Sequence, residues 1–216
     1  MSLHPEFPYP VYLVLSESAC RHHSWLDVAR CALQGGVDII QLREKTLSTA
    51  ELLHRAARLK ELTDDFGVPL IVNDFPEVAA KVEAWGVHVG RSDIPPSAIN
   101  SQFGHRLKIG WSLEVITQFQ DPEMQYVHHL GVSPIYSTPT KTDTITEWGL
   151  QGLRKVRDMT GYPLIAIGGI NEQNAKAIFE AGAHSIAVVS AVCGSLNPRQ
   201  AAEKLKRCWK TTCNHE

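Results

Sequence analysis

Short apolar runs alternate along the whole chain with longer segments of helical period, the pattern of a parallel sheet whose strands are joined by crossover helices. Eight runs read as strands, at 11–16, 38–43, 69–73, 86–89, 107–111, 126–132, 163–168 and 185–190. Several, such as Leu70-Ile71-Val72 and Ile186-Ala187-Val188-Val189, are apolar without alternation, as expected of strands covered on both faces. Eight strand-helix units within 216 residues predict the α/β class and a single (β/α)8 TIM barrel. The barrel domain spans 1–216, with an N-terminal extension at 1–9 and a long loop at 133–148.

The intervening segments carry helix punctuation. Ser48 with Glu51 three residues later is a capping-box pattern ahead of Leu52, Leu53, Ala56 and Leu59. Asn197, Pro198 and Gln200 repeat that logic for the last helix, and Asn171 is expected to open the helix that Gly182 closes. Asp121-Pro122 interrupts the segment after Ser112, so a helix is poorly signalled there.

Composition narrows the partners. With 21 Lys+Arg against 23 Asp+Glu, no global field favours nucleic acid or an anionic membrane, so any anion site must be local. No apolar run approaches a membrane span, and residues 1–10 hold prolines and an acid where a signal peptide needs a basic start and an apolar run. A cytoplasmic protein is expected. Cys20, Cys31, Cys193, Cys208 and Cys213 are scattered without C-x-x-C spacing, which speaks against a disulfide framework or zinc site.

In such a barrel the residues just after each strand form one ring around one cavity. Strand two ends in Gln41-Leu42-Arg43-Glu44-Lys45 and strand three in Asn73-Asp74, and Asp93 follows strand four. Strand five ends at Ser112, strand six opens into a Ser/Thr-rich loop with Lys141, strand seven into Gly168-Gly169, and strand eight into Ser190. Hydroxyls, free backbone N–H groups and an ammonium suit a phosphate ester; a mobile solvated loop is the plainer reading of 131–148. Gly168-Gly169 before a helix suits an anion, or makes a tight turn. Asp74 and Asp93 lie on adjacent strand ends and either hold Mg²⁺ beside a diphosphate or pair with Arg43, Lys45 or Arg91. His128-His129 reads as one core and one lumen-facing residue, since strand neighbours point to opposite faces.

These motifs, in this order, resemble the thiamine-phosphate synthase family: Gln41-Leu-Arg-Glu-Lys45, Val72-Asn-Asp74, Gly86-Val-His-Val-Gly90 with Asp93, Gly131 to Lys141, Ile167-Gly-Gly-Ile170 and Ala187-Val-Val-Ser190. The resemblance implies a transferase that joins an aminopyrimidine methyl diphosphate to a thiazole ethyl phosphate, releases pyrophosphate and uses Mg²⁺. It assigns Gln41, Leu42, Arg43, Glu44, Lys45 and Asn73 to the pyrimidine diphosphate, and Asp74 and Asp93 to the metal. Ser112 and Lys141 go to the diphosphate; Thr138, Pro139, Thr140, Gly169, Val189 and Ser190 go to the thiazole phosphate. Lys45, Lys141 and Ser112 are the expected catalytic groups, and the loop around 138–148 a water-excluding lid. Around Ser112 the chain departs from the family, with Trp111 before it and Leu113-Glu114 after. Two rivals remain: a thiazole tautomerase of the same superfamily, and a non-catalytic phosphate-ligand sensor.

Overall fold

The computed structural model describes residues 3–137 and 147–213. Among these, eight parallel strands pair in sequence order, and β8 pairs back to β1, closing a barrel. The first half of the chain runs β1 (Val11–Leu15), α1 (Trp25–Gln34), β2 (Ile39–Leu42), α2 (Thr49–Asp65), β3 (Leu70–Asn73), α3 (Pro76–Lys81), β4 (Gly86–Val89) and α4 (Pro96–Phe103). The second half runs β5 (Lys108–Leu113), β6 (His129–Val132), α5 (Gly149–Met159), β7 (Leu164–Ile167), α6 (Ala175–Glu180), β8 (Ser185–Val188), α7 (Ser190–Cys193) and α8 (Pro198–Cys213). Where the sequence signals no good helix, two 3-10 turns, Ile116–Gln120 and Pro122–Tyr126, join β5 to β6. No helix among the described residues is long and apolar enough to cross a membrane.

Most strands are shorter at one or both ends than their apolar runs. β6 begins at His129 instead of 126 because the second 3-10 turn occupies the residues before it, and the His128 ring accepts the Ile109 N–H. His128 is therefore a half-buried edge group outside the strand, while His129 faces the lumen. β5 instead continues to Leu113, held by pairing of Leu113 with Val132. The Ser48 capping box forms in both directions, and Asn197 Oδ1 accepts the Gln200 N–H at the start of α8. α6 starts only at Ala175, after a turn over 171–174, so Asn171 lies a turn ahead of the helix it was expected to open.

Two apolar layers hold the fold. Val11, Leu13 and Leu15 face outward with Ile40, Leu42, Val72, Val87 and their counterparts, buried against the helices. Tyr12, Val14, Ile39, Ile71, Ile165 and Ala187 face inward and fill the lower barrel. Each large aliphatic side chain so buried stabilises the fold by roughly 1.5–3 kcal/mol. The N-terminal extension joins this inner layer: Phe7 is fully buried, with ring centroids 4.8 Å from His129, 5.8 Å from Trp85 and 6.3 Å from Tyr12. It closes the floor, so the cavity opens only toward the carboxyl ends.

Candidate active site

Strand period two decides which residues meet. On β2 through β6 the lumen face carries Gln41, Asn73, His88, Ser112 and Gly131, polar or small, above the apolar floor. The space they leave is a cavity of about 500 Å³ at the carboxyl ends of the strands. Gln41 is buried there and donates from Nε2 to the Tyr12 hydroxyl at 2.6 Å, which fixes its amide. Ser112 Oγ stands 3.1 Å from His88 Nε2.

Of the residues expected at the site, Gln41, Arg43, Lys45, Asn73, Asp74, Asp93, Ser112, Gly169, Val189 and Ser190 line this cavity. Leu42 and Glu44 do not. The Leu42 side chain points outward into the helix-facing core, being one step out of phase with Gln41. Glu44 is turned outward and buried: its Oε1 accepts from the Glu17 N–H at 2.8 Å and from Arg55 Nη1 at 2.8 Å. Glu44 therefore ties the end of β2 to α2 and to the turn after β1, and holds the backbone from which Arg43 and Lys45 project. Thr138, Pro139, Thr140 and Lys141 lie outside the described residues, as does most of the expected lid. Of the residues that depart from the family around Ser112, Trp111 and Leu113 are buried on the outer face and point away from the cavity.

Asp74 and Asp93 do converge. Asp74 sits in the left-handed region with φ 63°, an uncommon conformation for a residue with a side chain, and its N–H donates to the His88 carbonyl at 2.9 Å. That turn brings its carboxylate beside Asp93, whose Oδ2 accepts the Gly90 N–H at 2.7 Å. Lys45 Nζ is 3.6 Å from Asp74 Oδ2. Burial, then the charge of Asp93, push the Asp74 carboxyl above its usual range, against the pull of Lys45 and Arg43. No cluster of three or more His, Cys, Asp or Glu side chains suited to a metal occurs among the described residues. Two half-buried carboxylates that repel each other fit a cation that takes its remaining oxygens from a substrate or water, as Mg²⁺ does.

The opposite wall is backbone. Gly168 and Gly169 have φ 109° and 64°, and a Cβ on them would fall 2.6 Å from Pro134 Cβ and 2.9 Å from Tyr136 Cβ respectively. Only glycine lets the β7 loop pass this close to the segment after β6, and that contact is fastened by Ile135 N–H to Ile167 O (2.8 Å) and Tyr136 N–H to Gly168 O (3.2 Å). Asn174 donates to the Gly169 carbonyl at 2.9 Å and accepts from Asn171 N–H, holding the turn that separates the glycines from α6. Ser190 begins the short α7 on the neighbouring strand end.

Sequence reading missed Tyr12, Ser16, Ser18, Arg21, His88 and Ser133, which also line the cavity. Applying the strand-end rule to β1 would have found Ser16 through Arg21, and period two from Gly86 would have found His88.

The thiamine monophosphate synthase family model matches residues 11–192. The chain is 44% identical over 197 residues to the thiamine-phosphate synthase of Albidiferax ferrireducens, covering 91% of this chain and 90% of that protein. It is 41% identical over 201 residues to the corresponding synthase of Leptospira biflexa, covering 91% and 95%. A solved structure of thiamine phosphate pyrophosphorylase from Pyrococcus furiosus superposes with TM-score 0.86 at 30% identity, covering 94% of this chain and 96% of that one.

Proposed function

The chain belongs to the thiamine monophosphate synthase family, and on that premise we propose that it joins an aminopyrimidine methyl diphosphate to a thiazole ethyl phosphate, giving thiamine monophosphate and pyrophosphate. The observation that carries the reading is the two-walled cavity: a carboxylate pair with Lys45 on one side, bare glycine backbone with Ser190 on the other. One wall suits a metal-held diphosphate, the other a monophosphate. In the reaction the carbon–oxygen bond to the diphosphate breaks, the leaving group takes the electron pair, and the thiazole nitrogen bonds to the methylene carbon. No protein nucleophile is needed.

The residues divide the work accordingly. Gln41 and Asn73 hold the pyrimidine, while Arg43 and Lys45 offset the charge that grows on the leaving pyrophosphate. Asp74 and Asp93 would hold Mg²⁺, which when bound would supply further charge stabilisation at that group. Ser112 and Lys141 donate to the same diphosphate. Backbone N–H groups near Gly169, with Val189, Ser190 and Thr138 to Thr140, hold the thiazole phosphate, and residues 138–148 exclude water from the cationic methylene. Free thiols at Cys20, Cys31, Cys193 and Cys208 fit a reducing cytoplasmic setting.

Release of pyrophosphate is expected only with both substrates and Mg²⁺ present. Conversion of a thiazole phosphate isomer alone, unaffected by chelator, would mark a tautomerase instead. Thermal stabilisation with both ligands recovered unchanged would mark a sensor.

A further inference from the structure

Among the described residues, Arg21 is the one charged side chain on the arc of the cavity wall that β7, β8 and β1 form. The other cavity cations, Arg43 and Lys45, stand on the β2 side and act on Asp74. Arg21 has no ion pair or hydrogen bond among the described residues: Glu17, four positions before it, and Glu44 are both taken by Arg55. Its backbone is nevertheless anchored on both sides. Before it, a 3-10 turn over Glu17–Ala19 is closed by Cys20 N–H to Glu17 O at 2.9 Å and tied to β2 by Glu17 N–H to Glu44 Oε1 at 2.8 Å. After it, the His23 ring Nε2 lies 3.0 Å from the Leu196 carbonyl, beyond α7. Strung between these points, the Arg21 side chain lies along α7, its Cδ 3.9 Å from the place a Cβ on Gly194 would take. Gly194 N–H donates to Ser190 O at 3.0 Å, so that contact is one helical turn, about 5.4 Å, from the Ser190 end of the cavity wall.

We propose that Arg21 binds the phosphate of the thiazole substrate and makes the site select the phosphate ester over the free alcohol. The inference rests on the proposed function, which sets a monophosphate against Gly169, Val189 and Ser190 and gives it only uncharged partners. A phosphate monoester carries close to two negative charges at neutral pH, and backbone N–H groups and hydroxyls bring dipoles but no net charge to meet them. A guanidinium meets them with two parallel, charge-assisted N–H···O bonds. Arg21 is exposed, so its charge stays hydrated until the phosphate arrives and costs the empty site little. The order of strands separates the two anions. β1 lies between β8 and β2, and Ser16 and Ser18, their hydroxyls 2.9 Å apart, line the cavity at that border. Arg21 stands on the Ser190 side of the border and Arg43 on the diphosphate side, so each anion has its own arginine.

The test uses the full chain. In Arg21→Gln, KM for the thiazole phosphate should rise about ten-fold, with kcat and KM for the pyrimidine diphosphate changed less than about two-fold. Arg21→Met keeps most of the stem along α7 and loses only the charge, so it should match Arg21→Gln, while Arg21→Lys should recover part of the loss. With the unphosphorylated thiazole alcohol in place of the ester, parent and variants should have the same kcat/KM. An unchanged KM for the thiazole phosphate in Arg21→Met overturns the proposal. Equal losses with ester and alcohol overturn it too, since that is what a stem that merely covers α7 would give, and a rise confined to the diphosphate KM would move Arg21 to the other wall. Calorimetric titration of the thiazole phosphate reads the contact without turnover. A parent that releases no pyrophosphate, yet binds the ester about ten-fold more tightly than Arg21→Met, loses the proposed reaction and keeps this contact; equal affinities overturn the contact whatever the reaction.

Discussion

Asp74→Asn is the change in which function and stability should move apart. The left-handed backbone at φ 63° tolerates Asn at least as well as Asp, so the substitution adds no strain. It removes a carboxylate whose ionised form is disfavoured by burial and by Asp93. It also removes the Lys45 contact, but that is 3.6 Å long and its lysine side chain is 56% exposed, so the loss is about 0–1 kcal/mol. The two terms oppose each other. Net stability should stay within about 1 kcal/mol of the parent, a shift in Tm of no more than about 4 °C for a chain of this size. Turnover should fall far more, because on the proposed role of Asp74 its loss forfeits several kcal/mol of charge stabilisation from the metal, more than about 100-fold in rate. Thermal melting and a pyrophosphate-release assay across a Mg²⁺ titration read the two effects separately. Asp74→Ala is the control: it also ends turnover but should lose about 1–2 kcal/mol, since alanine resists a positive φ. If Asp74→Asn retains turnover at the parent's Mg²⁺ dependence, Asp74 is not a ligand; if it melts as low as Asp74→Ala, the conformational reasoning is wrong.

Two further outcomes follow from contacts away from the carboxylate pair. Glu44→Ala leaves the Glu17 N–H without its acceptor and takes one of two carboxylates from Arg55, so it should cost about 2–3 kcal/mol and raise KM for the diphosphate as the backbone under Arg43 and Lys45 loosens; a Tm within 1 °C of the parent, roughly 0.3 kcal/mol, would refute this. His184 accepts the Leu164 N–H on its Nδ1, and burial lowers its pKa to about 4, so between that value and the ordinary 6.5 the unfolded chain binds the extra proton: stability should rise with pH across this window and be lost as pH falls through it, and urea titrations of His184→Asn should show a flatter dependence there.

The barrel was legible in the chain because its signals are local. Apolar runs spaced by helical segments, the Ser48-Glu51 box and the break at Asp121-Pro122 each act within a few residues, and a handed strand-helix repeat has few ways to close. The strand-end rule then carried Lys45, Asp74, Asp93, Ser112, Gly169 and Ser190 to one cavity. What the sequence could not decide was which alternate set of strand residues faces the lumen. When both faces of a strand are buried and apolar, period two survives in the geometry but not in the hydropathy, so Ile39 and Ile40 look alike until closure turns one in and the other out. The same limit hid the outward role of Glu44, which depends on Arg55 from α2 arriving at its carboxylate. Phe7 reads as part of a polar, proline-rich extension and becomes the barrel floor only because the inner layer leaves a ring-sized opening there. His88 and His129 come together over Gly110 in the same way: three residues on three strands, each unremarkable alone, meet through register and through the side chain that Gly110 lacks.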